Sequence, residues 1–300
     1  MKDCHIHLMP LCGPIDPPEI FVEKAAAAEI DGGNLFSLPP ASFRPDPERF
    51  QHWEYRLGQL LEYTSKTPGF LPFFWVDPTE ADAEKQVAGA CNAGVCGFKI
   101  IPNHFEVKNV LGVLQQIAGL GLPILFHSGI LFDHYASGQY TRPLAYESLL
   151  NVPKLTFALA HLGWPWCDEY IAIYGKLRAA ENNVLHELGL RMFADLTPGT
   201  PIVYRKEAMR KLYFTGYRLQ KRVLWGSDAR ANNYNTEGVK RKLAYDRQIM
   251  QDLAEEWKTN PDYSDMSCDD QMDDLFELAS EQNFYDFNRY TFTNSDQQKD

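Results

Sequence analysis

The sequence has 300 residues, of which 45% are hydrophobic and 23% charged, the proportions of a globular protein that can bury a large core. Its 40 acidic and 29 basic residues give a formal charge of −11, which argues against nucleic acid as a partner because nucleic-acid-binding proteins need basic patches. No apolar run is long enough to cross a bilayer, so we expect no membrane-spanning segment.

Cysteine spacing and the first residues indicate an intracellular protein. The six cysteines occur at positions 4, 12, 91, 96, 167 and 268, and none of them forms a C-x-x-C pair. This spacing fits neither a zinc ribbon nor a disulfide framework. Asp3 and two histidines interrupt any apolar run at the start, so the layout is not that of a signal peptide. We therefore expect reduced thiols and a cytoplasmic location.

Eight short apolar runs follow one another along the chain, and each ends near Gly, Pro or Asp. They are CHIHLM (4–9), GGNLFSLP (32–39), FLPFFWVDP (70–78), GVCGFKII (94–101), PILFHSG (123–129), LTFALAHLG (155–163), RMFADLTPG (191–199) and VLWGSDA (223–229). Strands that are covered on both faces have this character. The runs therefore predict eight buried strands of a parallel sheet.

Segments with helical periodicity separate these strands. They cover residues 47–66, 79–93, 107–121, 167–188 and 204–218, and an acidic loop at 260–274 precedes a last predicted helix. Parallel strands need such crossovers. Eight βα units in about 250 residues predict an α/β fold, a (β/α)8 TIM barrel that forms a single domain over residues 1–300. An open doubly wound sheet is the alternative, although no G-x-G-x-x-G or P-loop follows a strand.

Residues that bind metals or move protons occur at the carboxyl ends of five predicted strands. They are His5, His7, Lys99, His127, His161 and Asp228. Active sites of TIM barrels form at this end of the strands. Residues i and i+2 of a strand share a face, so His5 and His7 should point together and Cys4 should point away from them.

Each of these residues also has a structural interpretation when it is taken alone. A histidine can be a hydrogen-bonded core residue, Lys99 a paired buried lysine and Asp228 the cap of a turn. One metal site at the barrel mouth explains all of them together. Further residues lie on the loops after strands 4, 5 and 6 and are candidates for substrate binding or ordinary loop residues: His104, His134, Arg142 and Trp164.

The order and placement of these motifs resemble the amidohydrolase superfamily. The matching motifs are HIH, GFK, FHSG, AHLGWP and GSDA, at strands 1, 4, 5, 6 and 8. The most similar branch is the amidohydrolase-related group of metal-dependent TIM-barrel hydrolases and aminocarboxymuconate-semialdehyde decarboxylase-like enzymes. The resemblance covers nearly the whole chain and implies a (β/α)8 barrel that holds a divalent metal, usually Zn²⁺.

The resemblance also implies roles for the motif residues. The implied ligands of one Zn²⁺ ion are His5, His7, His127 and Asp228. His161 would transfer protons, and Asp228 would accept the proton of the attacking water. In branches that hold two ions, a carbamylated lysine from strand 4 bridges them and the histidines of strands 5 and 6 bind the second ion. Lys99 stands at that position, either as such a bridge or as a substrate contact; one ion is favoured.

The predicted function is that of a hydrolase in which metal-activated water attacks the carbonyl of a small ester, lactone or amide. The first alternative is a metal-dependent decarboxylase, a lyase that acts on a small unsaturated or aromatic carboxylic acid. The second is a barrel that binds a metal or ligand without catalysis. The expected partner is a small-molecule substrate, with no nucleic acid and no membrane. Barrels of this group often pair, so the resemblance is compatible with a homo-oligomer.

Overall fold

The eight predicted strands are all present in the computed structural model, which describes residues 1–9, 13–43, 52–182, 188–260, 272 and 274–289. The strands are β1 (Lys2–His7), β2 (Gly32–Phe36), β3 (Phe70–Trp75), β4 (Gly97–Ile100), β5 (Ile124–Phe126), β6 (Thr156–Leu159), β7 (Arg191–Asp195), β8 (Val223–Leu224) and β9 (Ala229–Arg230). They pair in parallel in the order β8-β7-β6-β5-β4-β3-β2-β1-β9.

The last predicted strand is split in two, and this split closes the barrel. β8 pairs with β7 through Ala194 and Val223, whereas β9 pairs with β1 through Ile6 and Ala229. Only residues 225–228 separate β8 from β9, so the two ends of the sheet meet. The Cys4 amide also donates to the Trp225 carbonyl oxygen at 3.0 Å. The predicted (β/α)8 barrel is confirmed.

Helices surround the sheet. They are α1 (Pro18–Ala27), α2 (Trp53–Thr64), α3 (Ala83–Asn92), α4 (Leu111–Gly119), α5 (Gly138–Thr141), α6 (Cys167–Asn182), α7 (Ile202–Phe214), α8 (Thr236–Thr259), α9 (Leu275–Glu277) and α10 (Asn283–Asn288). Of these, α2, α3, α4, α6 and α7 lie at the predicted places with shifted boundaries, whereas no segment was predicted for α1, α5 or α8. Asn235 caps α8, because its side-chain oxygen accepts from the Gly238 amide at 2.9 Å. None of the described helices is long and apolar enough to cross a bilayer.

The helix predicted over residues 107–121 is interrupted. A 3-10 turn covers Val107–Asn109, and α4 begins only at Leu111 because the backbone of Val110 is not helical, with φ of −122°. The predicted last helix is confirmed as α9 and α10, joined by a π-helical turn over Leu278–Gln282. Most of the acidic loop, together with residues 47–51 and 183–187 of two predicted helices, lies outside the described residues.

Aromatic side chains fill the barrel and close its amino end. Phe73 and Phe193 lie inside the barrel, and the Phe287 ring of α10 packs 6.4 Å and 5.2 Å from them. Arg191 at the start of β7 forms an ion pair with Asp286 at 2.5 Å, which holds α10 against this end. With the amino end closed, the open end is the one where the strands finish, and the predicted site residues lie there.

One expectation about β1 is wrong. Cys4 does not point to the helices but lies inside the barrel, in the cluster that contains Phe36 and Phe73. The pairing of β1 with β2 shifts between Asp3 and Ile6, so β1 carries an extra residue there. Such a bulge breaks the simple alternation of faces. The sequence pattern of alternating residues cannot reveal it.

Candidate active site

Two histidines of β1 and the aspartate between β8 and β9 form a compact group at the barrel mouth. His5 Nε2 and His7 Nε2 lie 3.2 Å apart. Asp228 Oδ1 lies 3.6 Å from the first of these nitrogens and 3.4 Å from the second. The ligand atoms of the three residues all lie within 4.8 Å of one another. The structure thus brings Asp228 to two histidines that precede it by 223 and 221 positions in the sequence.

A buried carboxylate fixes the tautomer of His5. His5 Nδ1 donates to Asp195 Oδ2 at 2.7 Å, and both side chains are almost fully buried. An imidazole that is protonated on Nδ1 keeps its lone pair on Nε2. The lone pair of His5 therefore points toward His7 and Asp228. The other carboxylate oxygen, Asp195 Oδ1, accepts from the Thr197 amide at 2.7 Å, which orients Asp195 in turn.

His127 and His161 complete the histidine cluster. The His127 ring centroid lies 4.8 Å from that of His161, which lies 5.3 Å from that of His5. His127 Nε2 is buried and has no hydrogen-bond partner among the described residues. Tyr146 holds the His127 backbone by donating its hydroxyl to the carbonyl oxygen. The Thr197 hydroxyl lies 3.2 Å from His161 Nδ1.

Left-handed backbone conformations place two of these side chains. His161 has φ of 60° and Asp228 has φ of 55°. Residues other than glycine rarely adopt this region, and such strain clusters at functional sites. The backbone next to Asp228 is held by Asp3, because Asp3 Oδ1 accepts from the amides of His5 and Ser227, each at 3.0 Å. Burial is the main cause that raises the pKa of Asp3, to about 7.

Two glycines let the backbone approach the histidines. A Cβ atom on Gly226 would meet Thr197 Cγ2 at 2.6 Å and His5 Cβ at 3.0 Å. A Cβ atom on Gly199 would meet His161 Cβ at 2.6 Å. Glycine is therefore the residue that fits at both places without displacing the histidine beside it.

Lys99 reaches the cluster from the end of β4. Its Nζ lies 3.5 Å from His5 Nε2 and 5.0 Å from the centre of the Phe36 ring. The side chain is fully buried, and this burial lowers the pKa of Lys99 to about 8 although the charges of Asp195 and Asp228 oppose the effect. The amine thus sits beside the candidate ligand atoms, as the predictions of a bridge or of a substrate contact both require.

Burial also sets the charge of the cluster. It lowers the pKa values of all four histidines, and the nearby charge of Lys99 lowers them further, so the imidazoles are neutral at pH 7. Burial alone would raise the pKa of Asp228. The hydrogen bond with His7, together with the positive charge that the imidazoles carry once they are protonated at low pH, outweighs burial and holds the pKa of this carboxyl well below its usual range. The site therefore combines neutral nitrogen donors with one carboxylate.

This donor set fits a divalent cation. Ligand atoms about 2.0–2.1 Å from a tetrahedral ion are about 3.3 Å apart, which is close to the 3.2, 3.4 and 3.6 Å observed. Two imidazole lone pairs facing each other at 3.2 Å would repel without a proton or cation between them. The unpartnered His127 Nε2 also needs a hydrogen-bond partner or a cation, because an unsatisfied buried polar atom is costly in free energy. One ion would satisfy His5 Nε2, His7 Nε2 and Asp228 Oδ1, whereas His127 is not part of this three-residue group.

A cavity of about 530 Å³ opens above the cluster. The predicted site residues that line it are His5, His7, Lys99, His127, His134, His161 and Asp228. Its other walls are mostly apolar and include Met9, Trp75, Ile101 and Leu131, with Arg230 among the polar residues. A concave apolar pocket with a few convergent polar groups is the usual form of a small-molecule site.

Three residues predicted to contact substrate do not line this cavity. His104 lies 3.4 Å from Asp77 Oδ2 and faces a separate surface depression. Arg142 Nε donates to Glu169 at 2.7 Å, and Trp164 stacks on Tyr204 with ring centroids 4.8 Å apart. The loops after β4, β5 and β6 turn these side chains outward. The position of a residue along a loop does not reveal the direction in which its side chain points.

Sequence reasoning missed three residues that hold the site. Asp3 and Asp195 stand inside buried strands, and Thr197 follows β7. The available signal was an ionisable residue within an apolar run, DCHIH and RMFAD, because carboxylates are seldom fully buried without a partner. What the run cannot show is that the partner of Asp195 is His5, 190 positions away.

Comparisons with known proteins identify the family and the fold. A family model described as amidohydrolase matches residues 3–260, and no curated protein matches the chain. The solved structure of an amidohydrolase II is 14% identical, covers 96% of this chain and 99% of its own and has a TM-score of 0.56. Dihydroorotase from Campylobacter jejuni is 14% identical, with coverages of 97% and 84% and a TM-score of 0.53.

N-isopropylammelide isopropylaminohydrolase from Burkholderia multivorans is similar to the same degree, with 15% identity, coverages of 96% and 74% and a TM-score of 0.53. At such identities these structures show a shared fold. The family model spans most of the sequence and includes every residue of the His/Asp cluster. The chain therefore belongs to the amidohydrolase family, a family of metal-dependent enzymes.

Proposed function

We propose that this enzyme is a metal-dependent hydrolase that adds water to the carbonyl carbon of a small ester, lactone or amide. The observation that carries the proposal is the convergence of His5 Nε2, His7 Nε2 and Asp228 Oδ1 at the base of a cavity. Members of the same fold that are named dihydroorotase and isopropylaminohydrolase support hydrolysis of amide-like bonds.

Four side chains would hold one ion: His5, His7, His127 and Asp228. We propose Zn²⁺ because neutral imidazoles with one carboxylate are its common donor set. When it is bound, such an ion polarises a carbonyl oxygen and makes water easier to deprotonate.

Asp228 is suited to accept the proton of the attacking water. Its low pKa keeps the carboxylate ionised, and the contact of Oδ1 with His7 Nε2 fixes its direction. Asp228 Oδ1 lies within 3.6 Å of both histidine nitrogens. The same carboxylate therefore offers one oxygen as a ligand atom and stays ionised, so that it is free to accept a proton at the cavity floor.

His161 is suited to pass a proton to the leaving group. It lines the cavity, its ring packs beside His5 and His127, and the Thr197 hydroxyl orients its Nδ1. The positive charge of Lys99, on the same cavity wall, would stabilise negative charge that develops on the carbonyl oxygen. We favour this role for Lys99, with one ion, over a carbamylated bridge between two ions.

Product analysis with protein that has been loaded with zinc tests the reaction type. A panel of esters, lactones, amides and unsaturated carboxylates is incubated in H₂¹⁸O. We expect one ¹⁸O atom in a new carboxylate and no CO₂. Release of CO₂ from a carboxylate without ¹⁸O uptake would replace the hydrolase with the decarboxylase. Tight zinc binding without turnover of any compound would favour the non-catalytic barrel.

Two variants separate metal binding from proton transfer. His5→Ala should lose the metal, as measured by elemental analysis after dialysis, because it removes one of the converging nitrogens. His161→Ala should keep the metal and lose about 10²–10⁴-fold in turnover, the usual contribution of one acid–base group. Full turnover by His161→Ala with the right substrate would show that the proton takes another route.

A further inference from the structure

An apolar wall begins directly beside the histidine cluster. Met9, Trp75 and Ile101 lie just after or at the ends of β1, β3 and β4, are buried, and form a cluster apart from the main core. The Trp75 ring centroid lies 5.9 Å from that of His7. Any substrate atom next to the reacting carbonyl on this side therefore meets apolar carbon rather than a charge.

This wall continues outward to the rim of the cavity. Phe43 packs on Trp75 with ring centroids 4.7 Å apart, and Leu131, on the loop after β5, packs against the same cluster. Two neighbours of Leu131 line the cavity while facing solvent: Ile130 is 38% exposed and Phe132 is 90% exposed. We call this continuous surface, from Met9, Trp75 and Ile101 through Phe43 and Leu131 to Ile130 and Phe132, the apolar track.

The exposed end of the apolar track is held in place by its own loop. Asp133 Oδ1 accepts from the Tyr135 amide at 3.2 Å and from the Ser137 hydroxyl at 2.9 Å. On the other side of Phe132, the Ile130 amide donates to the Trp164 carbonyl oxygen at 2.7 Å. Single exposed apolar residues are common and need no explanation. Here they prolong a buried apolar wall that starts at the candidate catalytic residues.

We propose that the substrate carries an apolar arm, alkyl or aryl, which runs from the reacting carbonyl along the apolar track and covers Phe132. This inference rests on the proposed function and names its substrate class. It disfavours compact polar substrates, because these would leave Ile130 and Phe132 exposed at the rim and give up the free energy of burying them.

Alkyl hydroxamates probe binding along the apolar track without the need for turnover. The head group chelates a metal ion, and the series from acetohydroxamate to octanohydroxamate lengthens only the apolar arm. Binding to zinc-loaded protein is followed by titration calorimetry. We expect the affinity to rise by about threefold to fourfold for each methylene that the track buries. An affinity that does not change with chain length would overturn the proposal.

A matched pair of variants tests the rim. Phe132→Ser should leave acetohydroxamate affinity unchanged and weaken octanohydroxamate by about tenfold, since only the long arm reaches this residue. Val203→Ser is the control, because Val203 is 81% exposed on α7 and does not line the cavity. Equal chain-length dependence in both variants would show that the arm does not follow the track to Phe132. Dissociation of a dimer by Phe132→Ser, with no change in that dependence, would make the rim a contact between two copies and overturn the proposal.

A probe without a chelating head separates this proposal from the metal site. N-phenyl-1-naphthylamine fluoresces when it enters an apolar site, and we expect Phe132→Ser but not Val203→Ser to weaken its binding. If acetohydroxamate fails to bind while this pattern holds, the metal site of the proposed function is wrong and the apolar track stands. If acetohydroxamate binds and the probe does not distinguish the variants, the track is wrong and the metal site stands.

Discussion

Both ring nitrogens of His5 contact polar groups of the site. Its Nδ1 donates to Asp195, and its Nε2 lies within 3.6 Å of His7, Lys99 and Asp228. Asp195 accepts two hydrogen bonds at 2.7 Å, one on each oxygen. A carboxylate that holds the far nitrogen of a metal-binding histidine fixes its tautomer and raises its strength as a ligand.

Replacing Asp195 with asparagine should weaken zinc binding without removing it. An amide has a single acceptor oxygen, so it cannot accept from both His5 Nδ1 and the Thr197 amide. We expect zinc affinity to fall by about 10- to 100-fold, measured by competition with a chromogenic chelator. Asp252→Asn, at an exposed ion pair on α8, is the control and should not change it. Equal affinities would mean that Asp195 does not act on the metal.

A buried ion pair joins the two segments that carry the site to the helices outside them. Arg205 of α7 donates to both carboxylate oxygens of Asp246 of α8, at 2.5 and 2.7 Å. The same arginine donates to the carbonyl oxygen of Leu196, directly after β7, at 2.6 Å. Trp225, directly after β8, donates its indole nitrogen to Asp246 at 3.0 Å. The segments next to Asp195 and Asp228 are therefore both hydrogen-bonded to one buried charged pair.

Two neighbouring residues on α7 allow a direct test of how much the buried ion pair stabilises the fold. Arg205→Met leaves the Asp246 carboxylate buried without its partner and should lower the free energy of unfolding by about 3–5 kcal/mol. Lys206→Met removes an ion pair with Asp252 in which both side chains are more than a third exposed, and it should cost less than about 1 kcal/mol. Urea titrations measure both values. Similar losses in the two variants would contradict a special role for the buried pair.

The first strand and the last one meet at the candidate metal centre. β1 supplies His5 and His7, and the link between β8 and β9 supplies Asp228. An ion held by all three would connect the strands whose pairing closes the barrel. The free energy of metal binding would then add to the stability of the closed barrel, because an unfolded chain does not present these ligands together.

Zinc should therefore raise the melting temperature of the metal-free protein, and a chelator should reverse the rise. At free zinc 100 times the dissociation constant, the expected stabilisation is about 2.7 kcal/mol. Thermal unfolding with increasing zinc measures it, with His5→Ala as the matched control that should not respond. An equal shift in that variant would place zinc binding elsewhere on the chain.

Much of the fold and part of the site can be read from the sequence because the relevant signals are local. Short apolar runs ending at turn residues located all eight strands, and helical periodicity located five of the helices between them but not α1, α5 or α8. Parallel strands present their carboxyl ends at one face, so histidines at those ends were expected to meet. The placement of His5, His7, His127, His161 and Asp228 around one cavity agrees with that reasoning.

Other features depend on contacts between distant residues, and no local pattern encodes them. The partner of His5, the inward position of Cys4 at a bulge, and the left-handed backbone of His161 and Asp228 all follow from packing across the barrel. The directions of loop side chains such as Trp164 likewise depend on which strand ends the loops cover. Strand and helix periodicity reports which faces are buried, whereas burial against a particular partner is set only when the closed barrel brings the two together.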